Sequence, residues 1–557
     1  MSTMRGADLV AACLGRMQVQ RVYGVIGTSI VGLIDGLYQA RETIRYVSCR
    51  HEQVAASMAD AEGRLTRRPG VTVLHSGPGT LNAMISMANA AKDCSPMIAI
   101  SGATKRRLRG CDGMLELDHV RVFAPLCRAT YRVNTVDEIP LVFGSAYQAA
   151  MSGPGGPVLV EVAEDLWTDR GAVSLSALDL SLPAPPRADE AEVDDALRRL
   201  AQARRPLILA GSGVSSARAN NRLLELAERL QAPVATTGNG RGALPETHPL
   251  CLGRTGFGGG NIVADEAMRR ADFILGIGCT LSDMSTYEYT WPIVADVLVA
   301  NLDRDNDQKK FPVEAIYADA GEFLAQLLEK WTRENKPPCA QWTEQLAEAR
   351  TAWGHLLTAA RQPRDGYGSP AQVAELLDSI LADDAIVAVG AGMHLLYPSA
   401  FIRTRSPNGY LSAVNFGSMG FGLAAAMAAK LTRPDRTVIA WLGDGDFLMT
   451  VQDLETAVRE SISIKIFVVN DNSYRVLAFR QRLQFEGHVY GSMHANPDLL
   501  QLADSFGIRA WRLNSAQATE SVVRQALAHD GPALVEIVTA TDDLPPTNLQ
   551  AAMRMSE

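Results

Sequence analysis

Short apolar runs alternate with longer stretches of helical spacing along most of the 557-residue chain. The clearest instance lies between 438 and 476. An apolar run, 438–442, breaks at Gly443-Asp444-Gly445, and Val451, Leu454 and Val458 then recur at three- and four-residue intervals. A second apolar run, 464–469, stops at Asn470-Asp471-Asn472. Strand, helix, strand at this length predicts a βαβ unit with parallel neighbouring strands. Asp444 and Asp471 then sit just past the carboxyl ends of their strands, the edge where open α/β sheets bind ligands.

The same alternation organises the rest of the chain. Up to about 165 the pattern predicts a strand and glycine turn over 21–27, a helix over 29–40 and a strand over 44–47. A helix over 53–65, a strand over 71–74, a helix over 80–91 and strands at 97–100, near 130–133 and at 158–162 follow. A Pro/Ala/Asp-rich stretch, 182–192, reads as a surface linker. Beyond it, strands are predicted at 206–210, 233–236, 273–277 and 297–302, with helices between them. A charged connector, 333–368, carries a predicted helix over 341–359, and further strands follow at 385–389, 410–412, 438–442, 464–469 and 533–537. The fold class is therefore α/β, with three doubly wound parallel-sheet domains at 1–168, 190–335 and 369–541.

Composition narrows the function without naming it. Nearly half the residues are hydrophobic, enough for several buried cores. The net charge of −9 comes without a basic tract, which argues against a nucleic-acid partner. The amino-terminal stretch has polar residues throughout, and no run of eighteen uncharged apolar residues occurs, so neither a signal peptide nor a membrane span is expected. The eight cysteines, at 13, 49, 94, 111, 127, 251, 279 and 339, form no CxxC pair. That favours reduced thiols and a cytoplasmic protein over disulfides or zinc.

Candidate chemistry gathers at the strand ends. Two oxygen donors on adjacent strands suit a hard cation, and the glycines let backbone amides approach a phosphate. Asp and Asn are also ordinary turn residues, and the remaining ligands of a calcium loop are missing. Glu52 falls at a strand-to-helix junction, where a carboxylate can simply favour the helix N-terminus. Gly211-Ser212-Gly213 reads either as a phosphate turn or as a plain tight turn. No dinucleotide fingerprint with a downstream acid follows any strand.

Taken in order, several motifs resemble the acetolactate synthase/pyruvate decarboxylase group of thiamine-diphosphate (ThDP) enzymes. They are the turn Gly24–Gly27, His51-Glu52-Gln53, Ser76-Gly77-Pro78-Gly79 with Asn82, Ser95-Pro96-Met97, Leu209–Gly213 and Gly242–Glu246. Gly417-Ser418-Met419-Gly420-Phe421-Gly422 and the GDG…NDN pair complete the series. The resemblance implies ThDP and Mg²⁺ as cofactors, with Asp444, Asp471 and the Ser473 carbonyl holding the metal. Gly445, Asp446 and Gly390-Ala391-Gly392 would offer amides to the diphosphate. Gly27, Ser76, Gly77, Asn82 and Ser418 would line the cofactor. Glu52 would meet the pyrimidine ring and drive its tautomerisation, Gly417 would accept the 4′-amino group through its carbonyl, and Met419 would wedge the cofactor into its bent form. Without the resemblance Met419 reads as core.

The implied reaction is decarboxylation of a 2-oxo acid, with carboligation of the enamine to a second carbonyl. The alternative is a C–C lyase of the benzaldehyde lyase or 2-hydroxyacyl-CoA lyase type, acting on acyloins. Two departures bear on the substrate. Asp471 stands where the family usually has Asn, and Leu115 where pyruvate-using carboligases usually place Gln. Thr28, His75, His394, Arg475 and Arg480 are polar candidates for substrate selection, each with an equally ordinary structural or surface role. His119 reads as a surface or helix histidine. The family's active sites lie at a subunit interface, which implies a homodimer or homotetramer. Some relatives carry FAD in the middle domain, so FAD stays open.

Overall fold

The computed structural model describes residues 2–303, 313–335 and 341–547. Cys339, part of the 333–368 connector and the carboxyl-terminal segment after 547 lie outside the described residues. Three six-stranded sheets, all parallel, account for the strands predicted from apolar runs. Parallel strands covered on both faces must be apolar on both faces, which is why they read as continuous runs rather than alternating ones. Gly70–Leu74, Pro157–Ala163, Pro206–Ala210 and Val438–Gly443 are buried along their whole length.

The first sheet runs Arg45–Ser48, Arg21–Gly24, Gly70–Leu74, Met97–Ala103, Pro157–Ala163, Ala129–Val133. The strand order reverses between Arg21–Gly24 and Gly70–Leu74, opening a crevice at their carboxyl ends. The second sheet runs Cys251–Arg254, Val234–Thr236, Pro206–Ala210, Phe273–Ile277, Asp296–Asn301, Glu314–Tyr317. The third runs Tyr410–Leu411, Ile386–Val389, Val438–Gly443, Lys465–Asn470, Ala533–Val538, Arg509–Leu513. Its order reverses between Ile386–Val389 and Val438–Gly443. A small antiparallel pair, Ser2–Arg5 with Arg170–Val173, stands apart from the three sheets.

The helices depart from the sequence pattern in instructive ways. The segment predicted as one helix over 80–91 is two, Pro78–Asn82 and Met84–Lys92. The helix expected over 29–40 begins with a 3₁₀ turn, Thr28–Ile30, before Val31–Gln39. The stretch between the Gly443 and Asn470 motifs divides into Asp444–Leu448, a 3₁₀ turn at Val451–Asp453, and Leu454–Arg459. Leu454 is buried there, but Val458 is exposed, so the apolar spacing overstated the packed face. The linker ends sooner than read, because Asp189 and Glu192 form a capping box that opens the helix Glu190–Gln202.

Two compact units form. One comprises Met1–Pro183 with Phe416–Asp435 and Leu448–Ile464; the other comprises Ala184–Asn415 with Arg436–Phe447 and Lys465–Glu557. At the centre of the first unit lies Glu52–Thr66, a helix buried on nearly every side. Its charges at Asp60, Glu62 and Arg64 survive burial because each is paired. Arg64 grips Asp60 through two hydrogen bonds of 2.7 Å, Asn89 adds one of 2.8 Å to Asp60, and Arg21 meets Glu62 at 2.9 Å. Removing one partner from such a pair leaves an uncompensated buried charge and costs about 3–5 kcal/mol.

Candidate active site

In the first unit the candidate residues converge on the crevice of the first sheet. Gly27 closes the turn after Arg21–Gly24, and a Cβ there would strike the His75 ring, 2.6 Å from Nδ1. His75 is itself anchored, its Nδ1 lying 2.9 Å from Ser29 Oγ, which also accepts the Ser76 N–H at 2.9 Å. Thr28 is exposed beside them. Gly77 adopts φ 66°, a left-handed value that favours glycine.

Glu52 is the first residue of its helix, 8 % exposed, with the His51 side chain capping the N-terminus by accepting from the Gln53 N–H at 3.1 Å. Asn82 donates to one Glu52 carboxylate oxygen at 2.9 Å. The other oxygen faces Gly79, where even a Cβ would come within 3.0 Å. One carboxylate oxygen is thus held by Asn82, and the other sits against Gly79, whose missing side chain makes room for it.

Residues that the sequence left without a role hold this arrangement. Gln53 donates from Nε2 to the Met419 carbonyl at 2.8 Å, so the helix carrying Glu52 and the Gly417–Met419 turn are tied within one unit. Ser418 contacts Asn89 at 3.3 Å, Met419 is half-buried, and Gly417 is exposed at φ 77°. Asp453 accepts the Arg50 N–H at 2.9 Å and the Thr456 hydroxyl at 2.8 Å, fixing the chain just ahead of Glu52. Burial pushes the Asp453 carboxyl up to about 6.

His119 is no surface histidine. It opens the short helix His119–Phe123 but is fully buried, because both ring nitrogens are used. Nε2 accepts the Gly77 N–H at 3.0 Å, which leaves Nδ1 to donate to Glu161 at 3.0 Å; Arg132 holds Glu161 at 2.5 Å. These partners are remote in sequence, so no local pattern could reveal them. Leu115 joins the same loop through its backbone, its carbonyl accepting from Ser76 Oγ at 2.9 Å, at φ 69°.

In the second unit the diphosphate candidates face one another across the crevice of the third sheet. The Ala391 N–H donates to Asp446 at 3.3 Å, and any side chain at Gly390 would run into that carboxylate. Asp444 and Asp471 follow the ends of adjacent strands, both buried. Burial, reinforced by the negative charge of Asp471, raises the Asp444 carboxyl above its usual range. Asn496, missed in the sequence, donates to Asp444 at 2.6 Å and to Asn470 at 3.0 Å. The Ser473 N–H donates to Asp471 at 3.2 Å, while its hydroxyl is buried without a partner.

Among the described residues no cluster of three or more His, Cys, Asp or Glu side chains could enclose a metal. Two repelling carboxylates with further ligand positions open suit Mg²⁺, which takes one or two carboxylates and completes its shell from phosphates and water. The glycine-lined gap at Gly390 and the orphaned Ser473 hydroxyl fit a phosphate-bearing group at the same edge.

The polar candidates separate here. Arg475 is buried and ion-paired with Asp471, and it also donates to the Asp543 carbonyl at 3.2 Å and to the Tyr397 hydroxyl at 3.4 Å. Arg480 lies exposed on the helix Arg475–Gln484. His394 is buried against Gly443, its Nε2 without a partner. Burial and the nearby Arg475 charge lower it to about 3, so it is neutral. In the central domain Gly211 and Gly213 pack directly on the backbone of Gly278, which accepts the Gly213 N–H at 2.9 Å. Close backbone approach explains that motif.

The fold and both sets of strand-end residues define a class, enzymes that hold thiamine pyrophosphate with paired α/β domains. The chain matches the thiamine pyrophosphate enzyme N-terminal TPP binding domain over 4–122, the central domain over 193–327 and the C-terminal TPP binding domain over 390–537. It is 30% identical to the acetolactate synthase isozyme 1 large subunit of Escherichia coli (strain K12), covering 96% of this chain and 93% of that one. It is 31% identical to the acetolactate synthase large subunit of Corynebacterium glutamicum, covering 97% and 87%. A probable acetolactate synthase large subunit of Methanocaldococcus jannaschii is 29% identical, covering 96% and 92%. The chain belongs to the acetolactate synthase group of ThDP-dependent enzymes.

Proposed function

We propose that this enzyme decarboxylates a 2-oxo acid and ligates the product to a second carbonyl compound, with ThDP and Mg²⁺ as cofactors. The observation that carries the reading is the buried Glu52 carboxylate, held by Asn82 on one oxygen and facing bare glycine on the other. When bound, ThDP supplies a nucleophilic carbon and an electron sink for the loss of CO₂. Glu52 would meet the aminopyrimidine of the bound cofactor and exchange a proton with it. Asp444, Asp471 and the Ser473 carbonyl would hold the metal. Gly445, Asp446 and Gly390–Gly392 orient the diphosphate, and Gly27, Ser76, Gly77 and Ser418 line the cofactor. The Gly417 carbonyl would accept the amino group, and Met419 would pack against the cofactor. His394, neutral and buried, can donate or accept one hydrogen bond without bringing charge. Thr28 and Leu115 border the substrate, and the apolar Leu115 suits a donor that needs no hydrogen bond there.

The assembly we infer is a homodimer or homotetramer in the cytoplasm, with each cofactor site shared between two copies. The deciding experiment supplies ThDP, Mg²⁺ and a panel of 2-oxo acids and identifies products by NMR. CO₂ release with a ligated hydroxy-keto product supports the proposal; aldehyde release from acyloins without CO₂ replaces it with a lyase. An absorption spectrum of the purified protein decides whether FAD is bound. Glu52→Gln should bind ThDP yet lose C2 proton exchange by roughly a hundredfold or more; unchanged exchange would sink the role given to Glu52.

A further inference from the structure

The outer strands of the first and third sheets carry the same pair of charges. In the first, Arg132 of Ala129–Val133 stands in register with Glu161 of Pro157–Ala163, and its Nε donates to the carboxylate at 2.5 Å. In the third, Arg512 of Arg509–Leu513 stands in register with Glu536 of Ala533–Val538, and its Nε donates at 2.6 Å. Both pairs join the last two strands of their sheets. The other end of each guanidinium is used alike. Arg132 Nη2 meets Asp118 at 2.8 Å and Arg512 Nη2 meets Asp498 at 3.1 Å, each aspartate lying 14 residues upstream. Asp118 and Asp498 in turn cap the helices His119–Phe123 and Leu499–Ser505, which lead into those strands. An arrangement repeated at matching places in two sheets points to a shared task.

Each glutamate is buried and orients a side chain that could otherwise face either way. A carboxylate only accepts hydrogen bonds, whereas histidine and asparagine both donate and accept. Although burial pushes the Glu161 carboxyl up, hydrogen bonds from His119 and Arg132 hold it below its ordinary range. Glu161 therefore accepts from His119 Nδ1 at 3.0 Å, and Nε2 is left to accept the Gly77 N–H at 3.0 Å. That bond seats the left-handed Gly77 turn between Ser76, whose hydroxyl donates to the Leu115 carbonyl, and Gly79, which faces Glu52. Glu536 likewise accepts from Asn470 Nδ2 at 2.7 Å, which turns the Asn470 oxygen toward Asn496. Asn496 Nδ2 then donates one hydrogen to Asn470 at 3.0 Å and the other to Asp444 at 2.6 Å. An amide in place of either glutamate could donate as well as accept, and the direction of each chain of hydrogen bonds would no longer be fixed.

We propose that Arg132–Glu161 and Arg512–Glu536 are equivalent positioning pairs, the first setting the Gly77 turn beside Glu52 and the second setting Asp444 for the metal. The first acts through His119, the second through Asn470 and Asn496. All of them are positioning residues, since each works through a neighbour and none is assigned a contact with the reacting atoms. The inference rests on the roles proposed above for Glu52 and Asp444. The two pairs serve opposite ends of one cofactor, so their loss should be felt in different measurements.

The test compares the full-length enzyme with Glu161→Gln and Glu536→Gln, with and without ThDP and Mg²⁺ and with no 2-oxo acid present. Mass spectrometry follows deuterium exchange in the peptide containing Gly77, NMR follows C2 proton exchange of bound ThDP, and calorimetry at saturating ThDP gives the Mg²⁺ affinity. Glu161→Gln should speed exchange at Gly77 and slow C2 proton exchange, each roughly tenfold or more, with Mg²⁺ affinity within about twofold of wild type. Glu536→Gln should weaken Mg²⁺ roughly tenfold or more, with both exchange rates within about twofold once the metal is saturating. Equal losses in all three measurements for both variants, or no change in any, overturn the proposal. Where either variant does not fold, His119→Phe and Asn496→Ala delete the last hydrogen bond of each chain, and they must give the same split or the proposal falls. Since no 2-oxo acid is supplied, failure of the decarboxylation reading alone moves none of these measurements. Wild type that binds no ThDP overturns the cofactor reading and the pairs with it; wild type that binds ThDP, with variants showing no split, overturns the pairs alone.

Discussion

Asp471 adds a carboxylate where the family usually has an amide, and the extra charge is balanced locally. Arg475, one helical turn on, ion-pairs with Asp471 inside the protein. Arg475→Leu should therefore cost about 3–5 kcal/mol, while Asp471→Asn with Arg475→Leu should recover most of it. Urea denaturation of the metal-free protein measures the cycle, and additive losses would show that the two do not compensate each other. Asp453 invites a different experiment. A buried acid whose folded pKa lies above its unfolded value stabilises the fold while protonated. That contribution is complete below the ordinary carboxylate range and is lost as pH rises through about 6. Asp453→Asn keeps an acceptor for the Arg50 N–H and should remove this dependence. At pH 8 it should exceed the wild type in stability by about 3 kcal/mol, with little difference at pH 4. Parallel stability curves for the two proteins between pH 4 and pH 8 would refute the assignment.

At the scale of elements, the strands were legible wherever both faces are buried. Phe273–Ile277 and Pro206–Ala210 coincide with the apolar runs that announced them. Three edge strands were not. Arg509–Leu513 lies at the edge of the third sheet with Leu513 alone fully buried, and Glu314–Tyr317 and Cys251–Arg254 likewise sit on edges. An edge strand has one paired neighbour and tolerates polar residues, so its sequence carries a weaker signal. Turn glycines were legible as motifs, but their reasons were not. Gly390 and Gly27 are bare because a strand end across the crevice already fills the Cβ position. Gly390→Ala should force Asp446 aside and weaken ThDP binding roughly tenfold or more, measured as the ThDP concentration needed for half-activation. An unchanged requirement would mean that the turn can yield.

For the whole molecule, compact units and sequence domains divide the chain differently. The segments Phe416–Asp435 and Leu448–Ile464 lie in sequence between strands of the third sheet yet belong to the first unit. Gln53, Met419 and the stack of Arg64 over Phe421, 4.9 Å to the ring centroid, account for part of that grouping. If each cofactor site is shared between copies, sedimentation should report a dimer or tetramer, and dilution to monomer should abolish turnover. Chelation of Mg²⁺ by EDTA should do the same reversibly. A fully active monomer would refute the shared site.

The sequence by itself determined the α/β alternation, the three parallel sheets and the strand-end residues from Glu52 to Asp471. Those features follow from local periodicity and from turns that only glycine, Asp or Asn readily make. The tertiary structure alone decided which partners hold them. It set Asn82 on Glu52, His119 under Gly77, Asn496 on Asp444 and Arg475 on Asp471. Most of these pairings join residues dozens of positions apart, and a hydrogen bond is set by distance and angle in space, which spacing along a chain does not encode.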